Sequence, residues 1–443
     1  MKYVFLILFA MAGLCQIFAQ QLELRGQTLM PGYDAMSSLS IGTTDLWGYV
    51  APDGEEYLLV GVREGVSVIR ARDMELLLTV EGPQLGNPVY HRDIKTYRNY
   101  AYVTSELFGF REGVMVLDLS GLPDTVVYVK SFTTREVTNH NISIDTLNFR
   151  AYITGSTFEG VYIYDLLDPA NPFPAGYLSQ NSVHDVFARN DTMWVANGED
   201  YSVWGMSDPS DPQLLDFVKE DTFGYCHNIW PTQDGKHFIT TEETPDKTIK
   251  IWETGGVSGP EVVSEFLGKN KVGHNVHIEG DLAFIANYTG GFMIMDVSDP
   301  ANPILIEEYD NYSFNDDPEF DGCWGIYPHS PYGYIYTSNQ EGIVMKFALS
   351  GFTSVEKEAK QLDAKLSLEI SNQLSLRFQT KATGKLNLRW LDIKGREVGK
   401  VSQTYAPGNQ RISVNTEGWT PGTYFYYIET EEGMASGKWV NIR

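Results

Sequence analysis

The hydrophobic positions of this chain fall in short runs, and the runs end in the same kind of turn. One reads Gly291-Phe292-Met293-Ile294-Met295-Asp296, followed by Asp299-Pro300-Ala301-Asn302-Pro303. An earlier one reads Gly160-Val161-Tyr162-Ile163-Tyr164-Asp165, followed by Asp168-Pro169-Ala170-Asn171-Pro172. Aligning that run along the chain gives seven copies, beginning at Gly65, Gly113, Gly160, Ser202, Thr248, Gly291 and Gly342. Their spacings by subtraction are 48, 47, 42, 46, 43 and 51 residues. A period in the forties without helical periodicity predicts four-stranded blades of a β-propeller.

The sixth copy shows the internal order. Asn275-Val276-His277-Ile278 is a first strand and Leu282-Ala283-Phe284-Ile285-Ala286 a second. The run at Phe292 is the third, and Ile304-Leu305-Ile306-Glu307-Glu308 the fourth. Gly, Asp, Asn and Pro between such runs mark hairpin-linked antiparallel strands. The seventh copy has Trp324-Gly325-Ile326-Tyr327, Tyr334-Ile335-Tyr336 and Ile343-Val344-Met345-Lys346-Phe347, but no fourth strand. Residues 22–29 form a strand with no unit of their own, and the expectation is that they complete the last blade. That pairing would close the ring and cover two open edges.

The pattern changes after residue 350. Residues 351–365 are polar and charged, as a linker would be. Beyond them Leu366-Ser367-Leu368-Glu369-Ile370 and Leu374-Ser375-Leu376-Arg377-Phe378 alternate with period two, as expected of a small antiparallel sandwich with its own core. The predicted class is all-β: a seven-bladed β-propeller over residues 21–350, then a small Ig-like β-sandwich over residues 366–443.

Composition adds location. Met1-Lys2, an apolar run from Tyr3 to Leu14, and Phe18-Ala19-Gln20 read as a signal peptide over residues 1–20, too short to span a membrane comfortably. Cys15 suggests a lipoprotein site, but bulky Leu14 precedes it. No later run is apolar enough to be transmembrane. A net charge of −25 argues against nucleic acid, since no basic stripe exists to neutralise phosphates. Cys226 and Cys323 hold the same phase in blades five and seven. They read as two small buried residues, although an exported chain permits a disulfide.

The candidate chemistry lies just before each first strand. In blade order that phase reads Trp47, Arg92, His140, His184, His227, His274 and Trp324, followed by Gly48, Asp93, Asn141, Asp185, Asn228, Asn275 and Gly325. First strands line a propeller's channel, so these residues would form an arc near one mouth. Two readings follow. In one, the histidines fasten each blade to its own backbone or the next, and their recurrence is the recurrence of one packing problem. In the other, His140, His184, His227 and His274 hold a transition metal, with the neighbouring Asn and Asp orienting the rings, and could support oxidation or hydrolysis. A metal-free polar ligand pocket on the same residues is a third possibility. Repeat phase alone does not show whether the rings converge. The loop bearing Asp316, Asp317, Glu319 and Asp321 is rich in oxygen ligands and is a candidate Ca²⁺ site without EF-hand spacing. Glu242 and Glu243 read as a solvated polar loop. The chain has no nucleophile elbow, phosphate-cradling loop or H-E-x-x-H.

Several phrases carry a family resemblance. They are Trp47-Gly48-Tyr49-Val50, Cys226-His227-Asn228-Ile229, Gly273-His274-Asn275-Val276 leading to Ala286-Asn287-Tyr288-Thr289-Gly290-Gly291, and Gly322-Cys323-Trp324-Gly325-Ile326-Tyr327-Pro328. With them the chain resembles the LVIVD-repeat propellers, and within those the secreted choice-of-anchor B family. That resemblance implies a fold and a location, and no chemistry. Leu391-Asp392-Ile393-Lys394-Gly395-Arg396-Glu397-Val398, Trp419-Thr420-Pro421-Gly422-Thr423-Tyr424 and the final Gly437-Lys438-Trp439-Val440-Asn441-Ile442-Arg443 resemble the type A sorting domain of the type IX secretion system. This second resemblance implies that residues 366–443 engage the type IX machinery. Passage across the outer membrane would follow, then removal of the domain with release or surface attachment. The expected role is therefore an exported binding module for an extracellular protein, glycan or small ligand. A metal-dependent enzyme using the histidine arc and a structural envelope protein are the alternatives.

Overall fold

The computed structural model describes residues 22–30, 42–86, 91–157, 159–255, 259–350, 365–369, 373–392, 397–430 and 433–441. The predicted signal segment and residues 351–364 of the predicted linker lie outside them. No helix forms among the described residues. Seven four-stranded antiparallel sheets make a seven-bladed propeller. Blade one is Leu46–Val50, Glu56–Val62, Gly65–Arg70 and Glu75–Glu81. The innermost strands of blades two to six are Ile94–Tyr97, Asn139–Asp145, Asp185–Arg189, Cys226–Pro231 and Val276–Glu279. Blade seven takes Cys323–Tyr327, Tyr334–Asn339 and Ile343–Leu349 from its own unit, and its outermost strand is the N-terminal Leu22–Leu29.

The blade interior is apolar on both faces because each face meets a neighbouring blade. Tyr57, Leu59, Val66 and Val68 of blade one pack with Ile94, Ala101, Val103, Met115 and Leu117 of blade two in one buried cluster. The third strand of blade three, Gly160–Asp165, is buried along its whole length, whereas the outermost strand of blade four, Gln213–Val218, is largely exposed. Burying each such Val, Leu or Ile contributes about 1.5–3 kcal/mol. The third and fourth strands of blades one to six share one irregularity, a bulge at the same step, as between Val68 and Ile69 or Ile294 and Met295. A bulge there raises local twist and turns the outer strand away from its neighbour. Leu22–Leu29 carries a comparable shift between Leu24 and Gly26.

The Asp-Pro turns are Asx turns. Asp168 Oδ1 accepts the Ala170 amide at 3.2 Å and Asp299 Oδ1 the Ala301 amide at 3.2 Å. The turns also couple blades: the Tyr102 hydroxyl donates to Pro169 O at 2.8 Å, and Ser264 Oγ to Pro300 O at 2.6 Å. At the closure, Glu56 of blade one accepts Tyr336 OH at 2.6 Å and Ser330 Oγ at 3.0 Å from the blade-seven unit.

The C-terminal unit has a three-stranded and a four-stranded antiparallel sheet. They share one core of Leu374, Leu376, Phe378, Leu386, Leu388, Trp390, Tyr405, Ile412, Val414, Tyr424, Tyr426 and Ile428. Cys226 and Cys323 are both buried free thiols, and burial pushes each up to about 12.

Candidate ligand site at the channel mouth

Side chains of the innermost strands line an axial channel of about 890 Å³. Its first tier is a closed belt of aromatic rings. His91 stacks on His140 with centroids 4.0 Å apart, His140 lies 4.3 Å from His184, and His184 4.2 Å from His227. His227 is 4.6 Å from His274, His274 5.2 Å from Trp324, and Trp324 5.7 Å from His91.

The belt is built onto a ring of blade-to-blade hydrogen bonds, one at each of the seven junctions. In blades two, three, five and seven the second strand supplies a hydroxyl to the backbone of the next blade. Thr104 Oγ1 donates to His140 O at 2.7 Å and Thr154 Oγ1 to His184 O at 3.1 Å; Thr241 Oγ1 donates to His274 O, and Ser338 Oγ to Thr44 O at 2.6 Å. Blades one, four and six have Gly61, Ala196 and Ala286 at that position, opposite Asp45, Asp185 and Asn275. There the belt-position side chain makes the bond instead. Thr44 Oγ1 donates to Arg92 O at 3.2 Å, His184 Nδ1 to His227 O at 3.1 Å, and His274 Nδ1 to Trp324 O at 2.9 Å.

This division sorts the belt. His184 and His274 are fasteners through Nδ1. His91, His140, His227 and Trp324 are not needed at the junctions, because a hydroxyl already does that work. Yet they sit at the centre of the molecule, with His91 and His227 only 9% and 4% exposed. Both ring nitrogens of His91, Nδ1 of His227 and Nε1 of Trp324 are buried without a hydrogen-bond partner. His140 Nδ1 bonds Glu106 Oε1 at 2.7 Å. An unpartnered buried polar group costs about 1–3 kcal/mol, so the belt carries a cost that the fold does not require.

Burial, reinforced by the neighbouring imidazoles, pushes His91 well below the usual histidine range, and it does the same to His184 and His274. These rings are neutral at ordinary pH. His227, His274 and Glu243 offer donor atoms that lie within 4.8 Å of one another. His227 Nε2 is 3.8 Å from Glu243 Oε1, and that carboxylate also accepts the Tyr288 hydroxyl. Tyr288 in turn lies 4.2 Å from the His274 ring.

Beneath the belt lies an acidic tier. Lys95 bridges Asp93 and Asp45, the latter at 3.4 Å. Burial raises the Asp45 carboxyl well above its usual range. In Asp93, Lys95 and hydrogen bonds from Asp45 and the Ile142 amide outweigh burial, and its carboxyl is held low. The two carboxyls therefore shift in opposite directions about one ammonium. Deeper still is an aromatic tier of Trp47, Trp230, Tyr327 and His277, with Trp230 4.4 Å from His277. His277 Nδ1 faces His329 Nε2 at 3.3 Å, and His329 Nδ1 bonds Glu279 Oε2 at 2.7 Å.

The structure gathers His140, His184, His227, His274 and Trp324 in the belt. It places two sequence-predicted residues elsewhere. Arg92 is fully buried and turned between blades one and two, bonding Val62 O at 2.9 Å and Ser105 Oγ at 2.9 Å; His91, one residue earlier, takes its place. Trp47 lies in the aromatic tier, because the strand pairing puts Thr44 and Asp45, not Trp47 and Gly48, in phase with the histidines. The shared Trp-Gly pair of blades one and seven drew that alignment three residues off. Glu243 reads as solvated in the sequence but reaches the belt. The Asp316 to Asp321 loop does not gather its carboxylates: Asp316 pairs with Lys269 at 2.8 Å. Among the described residues, the His227, Glu243 and His274 group is the one cluster of three or more such donors.

Known families fall on this frame in two places. Residues 273–311 match the LVIVD repeat. The chain contains an LVIVD repeat. That stretch is blade six, with His274 at its front and the four strands from Val276–Glu279 to Ile304–Tyr309 behind it. The matched repeat is thus one blade. Residues 370–442 match the Secretion system C-terminal sorting domain and cover the sandwich. The propeller is therefore exported by type IX secretion, and the protein is secreted or held at the cell surface. No curated protein matches the chain. Among the described residues no helix is long and apolar enough to cross a membrane.

Proposed function

We propose that this exported propeller is a binding module whose ligand seat is the aromatic belt at the channel mouth. The observation that carries the reading is the set of buried, unpartnered nitrogens on His91, His227 and Trp324, at junctions already fastened by hydroxyls. A ligand entering the mouth would satisfy them. The surrounding loops suit a partner with an apolar body. The loop that brings Glu106 to His140 also carries Phe108 and Phe110, 47% and 59% exposed. Phe320, likewise exposed, packs edge-on against Tyr288 at 5.3 Å.

The test is a thermal-shift array on wild type and His91→Phe. Phe keeps the ring stacked on His140 and removes two orphan nitrogens. The variant is expected to melt at or above the wild-type temperature without ligand, and to lose the shift given by any ligand that stabilises wild type. A variant that is less stable, or that responds to the array as wild type does, would return His91 to a structural role and sink the reading.

A further inference from the structure

We propose that the channel mouth binds one divalent transition-metal ion on His227, His274 and Glu243. The inference deepens the binding reading, because it names what the belt takes first. The donors come from three places that the fold holds independently: the innermost strand of blade five, the position two residues before the innermost strand of blade six, and the loop after the second strand of blade five. Bond lengths of about 2.0–2.2 Å to nitrogen and oxygen place ligands of one ion roughly 3.3–3.5 Å apart. The His227 to Glu243 separation of 3.8 Å is close to that already, and the remaining donors lie within 4.8 Å. Side-chain rotation of about an ångström closes the set.

The surroundings prepare each ligand. His274 donates its Nδ1 proton to Trp324 O at 2.9 Å, which fixes the tautomer and leaves the lone pair on Nε2; a carbonyl on the far nitrogen is the usual outer partner of a metal-bound imidazole. The Tyr288 hydroxyl donates to Glu243 Oε1, the same oxygen that faces His227 Nε2, and so fixes the carboxylate against the belt. No bond on Nδ1 ties the His227 ring away from the site. Charge points the same way. Among the described residues no lysine or arginine lies within ion-pair reach of Glu243, whose only such neighbour is His227. A carboxylate set between two buried imidazoles lacks a cation, and a metal supplies one.

Two nitrogens and one oxygen select zinc-like or iron-like ions over calcium and magnesium, which take oxygen ligands. Three protein donors leave a coordination position open to the channel, where a water or a ligand carboxylate could sit. The fastening role of His274 does not compete, because the junction uses Nδ1 and the metal would use Nε2.

The experiment uses the whole exported chain without a histidine tag, stripped with chelator and titrated with Co²⁺ alone. One Co²⁺ per chain with a visible ligand-field band, displaced by Zn²⁺, is expected. Glu243→Gln and His227→Phe should weaken binding by more than about 100-fold, since loss of an outer partner alone costs about 10- to 100-fold. His237→Gln, at the far end of its blade, should bind as wild type does. Zn²⁺ should raise the melting temperature of wild type and not of Glu243→Gln. No Co²⁺ bound, or equal binding by Glu243→Gln and His227→Phe when both are folded, overturns the proposal. If no Co²⁺ binds but stripped wild type still responds to array ligands and His91→Phe does not, the metal inference alone has failed and the ligand seat stands. If neither metal nor ligand distinguishes the variants, both fall.

Discussion

At the scale of single residues, the junction ring shows how one bond can be made by either of two side chains. Where the second strand offers Thr or Ser, the belt residue is released; where it offers Gly or Ala, the belt residue fastens. The exchange can be tested in blade four. His184→Phe keeps a ring in the belt but strips the donor from His227 O, and the orphaned carbonyl should cost about 1–3 kcal/mol in urea unfolding. Adding Ala196→Ser places a hydroxyl where blade seven has Ser338, and should recover most of that loss. An unchanged double mutant would show that the bond is incidental. Asp165 offers a second test. Burial pushes its carboxyl up to about 6, against 3.8 unfolded, while Oδ1 accepts the Leu167 amide at 2.7 Å. A raised acid is most favourable to folding when protonated, so the native state loses stability as pH rises from about 4 through about 6. Asp165→Asn keeps the acceptor and removes the ionisation. At pH 8 it should be more stable than wild type by up to about 3 kcal/mol, at roughly 1.4 kcal/mol per unit, and at pH 4 it should match wild type. Residue-scale chemistry was only partly legible in the sequence. Four histidines share a phase because the repeat repeats, so they could be read. His91 could not, because Arg92 holds the phase, and it is the bonds of its guanidinium to Val62 O, Arg63 O, Pro83 O and Ser105 Oγ that turn it out of the channel. Glu243 lies in a loop, where no periodicity says which way a side chain points.

At the scale of elements, alternation and turn chemistry carry most of the fold. The period in the forties, the Asp-Pro turns and the apolar third strands were all visible, and the sheets are antiparallel fours as that pattern demands. What no local pattern encodes is partnership across the whole chain. A seventh unit without a fourth strand and a leading strand without a unit are two halves of one observation, and Leu22–Leu29 pairs with Ile343–Leu349 from Leu22 opposite Leu349 to Leu29 opposite Ile343. The strand adds seven ladder pairs, inserts Thr28 Oγ1 onto Met74 O of blade one at 2.5 Å, and packs Leu22 on the blade-seven core. Deleting residues 22–29 while keeping the export segment should expose a bare edge beside Phe347 and Leu349. At about 0.5–1.5 kcal/mol per hydrogen bond, the loss is on the order of 5 kcal/mol. The expected result is a lower melting temperature and self-association on gel filtration, reversed by a synthetic peptide of residues 21–30 added in trans. A monomer with wild-type melting would mean that the propeller closes without its strand.

At the scale of the whole molecule, the chain holds two cores that share no residue. The apolar clusters of the propeller run from blade to blade, while the sandwich cluster draws only on residues 374–428 together with partly buried Val398, Val401, Trp419 and Trp439. Two separate cores predict two separable melting transitions. Removing residues 366–443 should abolish one and leave the other within about 4 °C, because no apolar cluster of the propeller loses a member and the loss there is of surface bonds such as those of Arg389 to Leu147 O at 2.9 Å and Asn148 Oδ1 at 3.4 Å. The same truncation bears on export. The sandwich matches the sorting domain and the propeller does not, so the shortened protein should fold, keep its Co²⁺ and ligand responses, and accumulate in the periplasm instead of reaching the cell exterior. Fractionation of cells expressing both forms reads this directly. A truncated propeller found outside the cell would place the export signal in the blades. One that fails to fold would show that the sandwich supports the propeller as well as addressing it, and the separation of the two cores would have been read wrongly.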